Sequence, residues 1–216
     1  GGWPNWVLGN HDQPRIASRV GRGQARVAAM LLLTLRGTPT LYYGDELGMH
    51  DVAIPPERVR DPQALNQPGV GRTRDTARTP MQWTGEPGAG FTTGEPWLPF
   101  SVDVGRVNVA AQRDDPDSSL ALHRRLLALR RAALALAVGT FAPVPAPPTV
   151  VAYVREHAGR RVLVALNLSH APAIVEPGPV PLAGEIACAT YVGREGTRVD
   201  GRILLEGSEG VVVRLD

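Results

Sequence analysis

Two short apolar segments, each followed at once by polar residues, constrain the fold of this chain more than any other feature. Residues 6–12 (Trp-Val-Leu-Gly-Asn-His-Asp) and residues 40–46 (Thr-Leu-Tyr-Tyr-Gly-Asp-Glu) both have this form. Between them, residues 24–35 are almost entirely apolar, which predicts a buried helix, and Gly37 suits its C-terminal cap. A strand, a helix and a second strand, with polar side chains directly after each strand, predict an α/β unit with a parallel sheet.

The middle of the chain, residues 48–116, is rich in Gly, Pro, Asp and Arg and has little periodicity. Because this is too long for an ordinary connection, it is either disordered or a structured functional excursion. Its four aromatic residues favour the second. Leu and Ala at steps of three and four then predict a helix over Ser118–Val138, with Asp117 as its cap and Gly139 at its end. The four aromatic residues are Trp83, Phe91, Trp97 and Phe100.

The last third of the chain differs from the rest in its residue pattern. Residues 142–148 (Ala-Pro-Val-Pro-Ala-Pro-Pro) predict a stiff linker. Beyond them, short apolar segments separated by Gly, Pro and Asp turns predict an antiparallel sheet or sandwich. The predicted strands are Val150–Arg155, Arg161–Asn167, Ala173–Glu176, Ile186–Val192, Arg202–Leu205 and Val211–Leu215.

The composition is that of an ordinary globular chain, with 216 residues, 43% of them hydrophobic, and a net charge of +2. All 23 basic residues are Arg, spread among 21 acidic residues, so no basic patch predicts nucleic-acid binding. The single cysteine, Cys188, lies in an apolar stretch, which predicts a buried side chain rather than a disulfide or a metal site. We therefore expect no metal, no cofactor and a cytoplasmic location. No apolar run reaches membrane-spanning length, so no membrane partner is expected.

Four motifs give the sequence a specific resemblance. Residues 6–12 are similar to the seventh-strand motif of the α-amylase superfamily of glycoside hydrolases, and residues 37–46 resemble its eighth-strand motif. Residues 74–83 (Arg-Asp-Thr-Ala-Arg-Thr-Pro-Met-Gln-Trp) and 90–97 (Gly-Phe-Thr-Thr-Gly-Glu-Pro-Trp) resemble segments of its α-glucosidase and oligo-1,6-glucosidase branch. The four motifs stand in the family's order and cover essentially the whole chain, so chance agreement is a poor explanation.

The resemblance implies an α/β plus all-β fold. Residues 1–141 would be the C-terminal quarter of a (β/α)8 TIM barrel, comprising strands 7 and 8 with their helices. Residues 142–148 would be the linker, and residues 149–216 would form a small antiparallel β-sandwich domain. Active sites of such barrels lie at the C-terminal ends of the strands, which is where both polar clusters fall.

The resemblance also implies roles for four residues. Retaining glycosidases use a nucleophile and an acid/base carboxyl group about 5–5.5 Å apart; this family adds a third carboxylate, which corresponds to Asp12. Asp12 would accept hydrogen bonds from the 2- and 3-hydroxyls of the reacting glucose and favour a cation-like transition state. His11 would donate to the same hydroxyls. Arg74 or Arg78 would hold the terminal glucose from its 4-hydroxyl side, and ordinary ion-paired loop packing is the alternative.

The remaining polar and aromatic candidates receive structural interpretations. The adjacent carboxylates Asp45 and Glu46 are expected to be chiefly structural. Arg15 and Arg19, in the loop after Asp12, either support the site electrostatically or are solvated or ion-paired. Wall and core positions are expected for Tyr42, Tyr43 and Trp83, and surface or turn positions for His50, His123, His157 and His170.

The sequence also departs from the family. The family's nucleophile and general acid follow its fourth and fifth strands, and neither has a counterpart motif in this sequence. The chain begins at Gly1 and its first Met is Met30, which predicts a truncated product. We therefore expect a fragment of a retaining α-glucosidase that acts on short α-glucosides of the maltose and isomaltose type. The fragment itself is expected to be inactive and prone to aggregate through an exposed strand edge.

Two alternatives remain open at this point. A trehalose synthase-like transglycosylase or isomerase would share every residue named above, because only the fate of the covalent intermediate differs. A non-catalytic relative of the fold could instead act as a binding or partner subunit. An oligosaccharide or disaccharide is the expected ligand, while linkage preference, calcium dependence of the parent and oligomeric state are left undetermined.

Overall fold

The structure, a computed structural model, describes residues 2–67, 73–176, 178 and 182–216. Residues 68–72 of the predicted excursion lie outside this range. Contacts divide the chain into two compact units, and this division differs from the predicted boundary at residues 142–148, which stays a prediction. The first unit comprises Gly1–Trp6, Gly23–Thr40 and Leu122–Asp216, and the second comprises Val7–Arg22 and Leu41–Ala121.

The described residues contain five α-helices, and α1 covers most of the predicted apolar helix. It begins at Ile16 rather than Gln24 and is interrupted at Gly21, whose φ of 77° and ψ of 161° suit glycine.

The predicted helix over Ser118–Val138 is wrong in two details. It is split at Ala133, which has extended backbone, and its cap is Ser118, whose Oγ accepts from the Ala121 amide at 3.0 Å. The helices are α1 (Ile16–Thr34), α2 (Pro62–Asn66), α3 (Val109–Gln112), α4 (Ser119–Ala132) and α5 (Leu134–Val138).

The two predicted strands near the N-terminus pair with each other. They are β1 (Asn5–Val7) and β2 (Thr38–Thr40), so residues 41–43 of the predicted second strand lie outside it. The Thr38 amide donates to the Pro4 carbonyl at 2.9 Å, and the Thr40 hydroxyl donates to Asn5 Oδ1 at 2.8 Å. These contacts advance in the same direction along both segments, as in a parallel pair.

The first unit contains the antiparallel β structure that the sequence predicts. Six strands form one sheet in the order β3-β4-β5-β10-β7-β8, and β6 pairs with β9 in a second sheet. Every neighbouring pair in both sheets is antiparallel. The sequence did not predict β3 and β8. The strands are β3 (Thr140–Pro143), β4 (Val150–His157), β5 (Arg160–Asn167), β6 (Ala173–Val175), β7 (Ala183–Ala189), β8 (Arg198–Asp200), β9 (Ile203–Leu205) and β10 (Gly210–Leu215).

Both faces of the six-stranded sheet are buried. On β10, Val211 and Val213 share a core with Val175 of β6 and Leu205 of β9. The intervening Val212 belongs to a second core, which α1, α4 and α5 complete. Because successive strand side chains point to opposite faces, the near-continuous apolar runs of β5 and β10 are what a sheet covered on both sides requires.

The Pro-rich segment is not free of the sheet, as a linker would be. Ala142 and Pro143 pair with Val154 and Tyr153, and the buried Val144 donates its amide to the Ala152 carbonyl at 3.0 Å. Proline is tolerated here because β3 is an edge strand, so the missing N–H does not remove a hydrogen bond from the sheet.

The prediction that His123 lies at the surface is wrong, since its side chain is buried in α4.

The second unit shows that the described part of the excursion is structured. Leu47, Met49, Val107 and Leu120 form its core. The buried Gln82 side chain donates to the Val107 carbonyl and accepts from the Ser101 amide, which ties three segments together. Short 3-10 turns at Asp45–Leu47, Pro56–Arg58, Arg74–Ala77 and Pro87–Gly90 connect these segments.

Across the described ranges, every helix is too short or too polar to cross a membrane.

The fully buried Arg155 of β4 yields a stability prediction for the first unit. Its guanidinium donates to the carbonyls of Thr34 (2.5 Å), Thr140 (2.8 Å) and Gly139 (3.1 Å), which joins the end of α1 to the β3 edge. Arg155→Met leaves these carbonyls without their donor, so we expect the free energy of unfolding to fall by about 3 kcal/mol in urea titrations. The exposed Arg160→Met on β5 is the control, with a change of less than about 0.5 kcal/mol. Equal effects of the two variants would contradict this role for Arg155.

Candidate functional site

Asp12 lies five positions after the end of β1, in a turn that its own sequence motif builds. The Asn10 side chain accepts from the Asp12 amide at 2.9 Å, an Asx turn that fixes the backbone at this point. The Asp12 side chain is 45% exposed and faces a cleft of about 1020 Å³ in the second unit. His11 is more exposed, and its Nε2 lies 3.4 Å from Asp12 Oδ2.

Two arginines meet at one oxygen of this carboxylate. Arg74 Nη1 and Arg78 Nη2 each donate to Asp12 Oδ1 at 3.0 Å. Arg78 also donates from Nε to the His11 carbonyl at 2.8 Å. The structure therefore brings together all four predicted site residues, although they come from segments more than sixty positions apart in sequence. The second oxygen, Oδ2, has only His11 beside it among the described side chains.

Asp61 is a member of this cluster that the sequence analysis missed. Arg74 Nε donates to both of its oxygens at 3.0 and 3.1 Å, and Nη2 donates to Oδ1 at 2.5 Å. The Arg74 guanidinium holds the pKa of this carboxyl group well below its ordinary value. Hydrogen bonding to Asp61 in turn raises the pKa of Arg74. The pair is therefore ionised at any ordinary pH.

A second buried aspartate, Asp75, completes a reciprocal arrangement with Asp61. Asp75 Oδ2 accepts from the amides of Arg60 and Asp61 at 2.7 and 2.8 Å. Asp61 Oδ2 accepts from the Arg74 amide at 2.9 Å. The Asp-Pro pair at residues 61–62 is a recognisable helix cap, and Asp61 does cap α2. That signal predicts the cap but says nothing about Arg74.

The glycine before the Asn-His-Asp motif is required by close packing against Asp45. A Cβ at Gly9 would lie 2.8 Å from Asp45 Oδ2, so any other residue would displace this carboxyl group. Burial raises the pKa of Asp45 to about 6, and burial also raises the pKa of Glu46. Asp45 is not among the residues that line the Asp12 cleft.

Arg15 lies directly before α1 and is fully buried. Its Nη1 donates to the Tyr43 carbonyl at 2.6 Å, and its guanidinium carbon lies 4.7 Å from the centre of the Tyr43 ring and 5.1 Å from that of Tyr42. Arg19 lies within α1, lines the Asp12 cleft and donates to the Leu8 carbonyl at 2.9 Å. Both arginines thus connect the segments that flank the site without contacting Asp12 in the described contacts.

A second cleft, of about 670 Å³, lies on the other side of Arg78. Trp83, Phe91 and Trp97 line it and are exposed by 48%, 53% and 81%. The prediction of Trp83 as a wall residue therefore holds for this second cleft, while Tyr43 lines it as well.

The Asp12 cluster carries two positive and two negative groups. Asp12 and Asp61 face Arg74 and Arg78 at hydrogen-bonding distance, so the charges cancel within the cluster. Within the part of the chain that the structure describes, no group of three or more His, Cys, Asp or Glu side chains could hold a metal ion. The arrangement leaves the Asp12 carboxylate, which lines the cleft, and the neighbouring His11 imidazole partly exposed to a ligand.

The buried Asp45 yields a pH-dependence prediction. Its pKa of about 6 lies above the ordinary value of 3.8, so the folded protein binds this proton more tightly than the unfolded chain does. The Asp45 contribution to the free energy of unfolding therefore declines as pH rises from about 4 to about 6 and is constant above that. Asp45→Asn removes the decline, so its stability relative to wild type should rise by about 2–3 kcal/mol between pH 4 and pH 7.

Urea titrations at each pH measure this difference. The exposed Glu57→Gln is the control, and its difference from wild type should stay constant within about 0.5 kcal/mol. A constant difference for Asp45→Asn would mean that this carboxyl group titrates normally in the folded protein.

Comparison with known proteins agrees with the motifs. Residues 1–139 match the family Alpha-amylase, described as "Alpha amylase, catalytic domain". The amino acid transporter heavy chain SLC3A1 of Mus musculus is 35% identical over 99% of this chain and 31% of its own length. The probable oligo-1,6-glucosidase 2 of Bacillus subtilis (strain 168) is 32% identical over 81% of this chain and 36% of its own length.

The fold has solved counterparts as well. The trehalulose synthase MutB of Pseudomonas mesoacidophila MX-45 superposes with a TM-score of 0.88 at 27% identity, over 100% of this chain and 43% of that one. The chain spans about a third of the length of the curated relatives it matches. The match over residues 1–139, together with these relatives, establishes that the chain belongs to the α-amylase family of glycoside hydrolases.

Proposed function

We propose that the protein carrying this chain is a retaining α-glucosidase that acts on short α-glucosides of the maltose and isomaltose type. The observation that carries the proposal is that the two oxygens of the Asp12 carboxylate have different surroundings. One oxygen, Oδ1, is held by Arg74 and Arg78, while Oδ2 meets neither arginine in the described contacts and lies 3.4 Å from His11 Nε2. The Asp12 side chain itself is 45% exposed and lines an open cleft. A carboxylate held on one side and open on the other is suited to accept hydrogen bonds from neighbouring hydroxyls of a sugar ring.

Asp12 and His11 would act on the reacting glucose together. Asp12 Oδ2 accepts from the ring hydroxyls, and these hydrogen bonds strengthen as the ring gains positive charge in the transition state. The fixed negative charge also stabilises an oxocarbenium-like centre. His11, 67% exposed and 3.4 Å from Asp12 Oδ2, donates to the same hydroxyls. Arg74, which lines the cleft, or Arg78, which meets the same Asp12 oxygen, would hold the terminal glucose from its 4-hydroxyl side.

The charge balance of the cluster favours an uncharged ligand. Two guanidinium groups already neutralise Asp12 and Asp61. An anionic ligand would have to compete with these carboxylates, and a cationic one would be repelled by the arginines. A neutral oligosaccharide needs hydrogen-bonding groups instead, and the cleft supplies them.

The other carboxylates near this site do not suit the missing catalytic roles. Asp61 is buried with both oxygens occupied, and its lowered pKa rules out general acid catalysis near neutral pH. Asp45 has the raised pKa of a general acid but lies behind Gly9 instead of lining the cleft. The nucleophile and general acid would therefore come from other parts of the protein. By this proposal, residues 1–216 alone are inactive.

Two further expectations go with this proposal. Residues 1–141 would supply the last two strands of a (β/α)8 barrel with their helices, which is supported by the likeness to the synthase over this whole chain. A cytoplasmic location is supported by the single buried cysteine, Cys188.

Two other functions have a specific observation in their favour. The likeness to a trehalulose synthase favours an isomerising or transglycosylating enzyme, because the same carboxylates would form the same covalent intermediate. The likeness to an amino acid transporter heavy chain favours a partner subunit without catalysis. The retained pair of His11 and Asp12, arranged at an open cleft, is the reason that we prefer an enzyme.

Replacing the Asp12 carboxylate tests the proposal. In the protein that carries this chain, Asp12→Asn should lower kcat on maltose and isomaltose by about 100- to 1000-fold, since the amide cannot stabilise the developing charge. The exposed Asp114→Asn, which has the same chemical change outside the cleft, should leave kcat within about twofold of wild type. Glucose release in a coupled assay gives both values.

The products separate the three functions. Glucose as the main product from maltose or isomaltose supports the α-glucosidase. Rearranged disaccharides or longer oligosaccharides as main products would replace it with the isomerase or transglycosylase. No turnover of maltose, isomaltose, sucrose or trehalose by the wild-type protein would overturn the enzyme proposal in favour of the partner subunit.

A further inference from the structure

The orientation of the Arg74 guanidinium is the unexplained feature of the cluster. Arginine usually meets a carboxylate with two parallel N–H···O bonds, and Arg74 does not meet Asp12 in this way. Its Nε and Nη2 donate to Asp61, and only Nη1 donates to Asp12, at Oδ1. The two-point contact is made with the buried carboxylate, and the one-point contact with the exposed one.

Asp61 is fixed independently of the Arg74 side chain. It is 1% exposed, its Oδ1 accepts from the Gln63 amide at 3.1 Å, and its own amide donates to Asp75 Oδ2 at 2.8 Å. Pro62 follows it at the first position of α2 and restricts the backbone further. The position of the Asp61 carboxylate is therefore set by contacts other than those with the Arg74 side chain.

We propose that Asp61 is a positioning residue that keeps Arg74 from taking both oxygens of Asp12. By holding Nε and Nη2, it limits Arg74 to Asp12 Oδ1 and leaves Oδ2 without an arginine contact. This inference rests on the proposed function, in which Oδ2 receives the sugar hydroxyls. Without the Asp61 charge, the Arg74 fork would turn toward Asp12, cover Oδ2 and compete with substrate. A buried carboxylate that never touches the sugar would then control access to the one that does.

A kinetic double-mutant cycle tests this role in the protein that carries the chain. Asp61→Asn keeps an oxygen that can cap α2 but removes the charge that holds Arg74. We expect kcat/KM on maltose to fall by about 10- to 100-fold, chiefly through KM. Arg74→Lys in the same background should recover most of the loss relative to Asp61→Asn, because a lysine cannot take both oxygens in a fork.

The recovery is what a purely structural role of Asp61 would not produce. A double variant no better than Asp61→Asn alone would overturn the proposal, as would an unchanged kcat/KM in Asp61→Asn. The matched control is Asp103→Asn, which removes the carboxylate partner of Arg22 in the same unit. It should leave kcat/KM within about twofold of wild type.

A second measurement decides the matter without turnover. In ¹⁵N-arginine NMR spectra, the Arg74 Nε–H, assigned with Arg74→Lys, should be protected from solvent exchange in the wild type. Asp61→Asn should speed this exchange by about tenfold or more, and Asp103→Asn should not. Unchanged exchange in Asp61→Asn would overturn the proposal. Faster exchange in a protein that has no glucosidase activity would support the Asp61–Arg74 arrangement while the proposed function itself fails.

Discussion

The ion pair between Asp61 and Arg74 is the interaction on which the site depends. A buried carboxylate is costly unless its oxygens are satisfied, and Asp61 meets this condition with a guanidinium and two backbone amides. Asp75 in turn fixes the amides of residues 60 and 61. Charge-assisted hydrogen bonds thereby hold together two segments that contain no regular strands. Nη1 of Arg74, which does not bind Asp61, donates to Asp12.

Hydrogen bonds and contacts with neighbouring segments position the exposed residues of the site. The Asp12 and His11 side chains are 45% and 67% exposed, so packing alone cannot fix them. Their position comes instead from the Asn10 turn, from Arg78, which binds both the Asp12 side chain and the His11 carbonyl, and from the Asp45 carboxyl group packed behind Gly9. These contacts leave the Asp12 and His11 side chains partly exposed.

The first unit is organised by a different constraint, the burial of both faces of one sheet. The alternation on β10 places Val211 and Val213 in one core and Val212 in the other. The predicted β segments were recognisable because these runs are apolar, and their antiparallel pairing followed from the turns between them. The helices that cover the second face were predicted as helices, but their apolar stripes do not say which sheet they meet. Residues 142 and 143 of the edge strand β3 were predicted as part of the linker, because proline content indicates stiffness and not pairing.

The sequence by itself determined the family and predicted Asp12, His11, Arg74 and Arg78 as site residues, because each lies in a contiguous motif whose residues are read together. Only the tertiary structure decided how these residues share their contacts. Asp61 stands in no such motif, and its bond to Arg74 crosses thirteen positions of irregular chain. The choice of one Asp12 oxygen for both arginines depends on the geometry of rigid carboxylates in three dimensions, which no spacing along a sequence encodes.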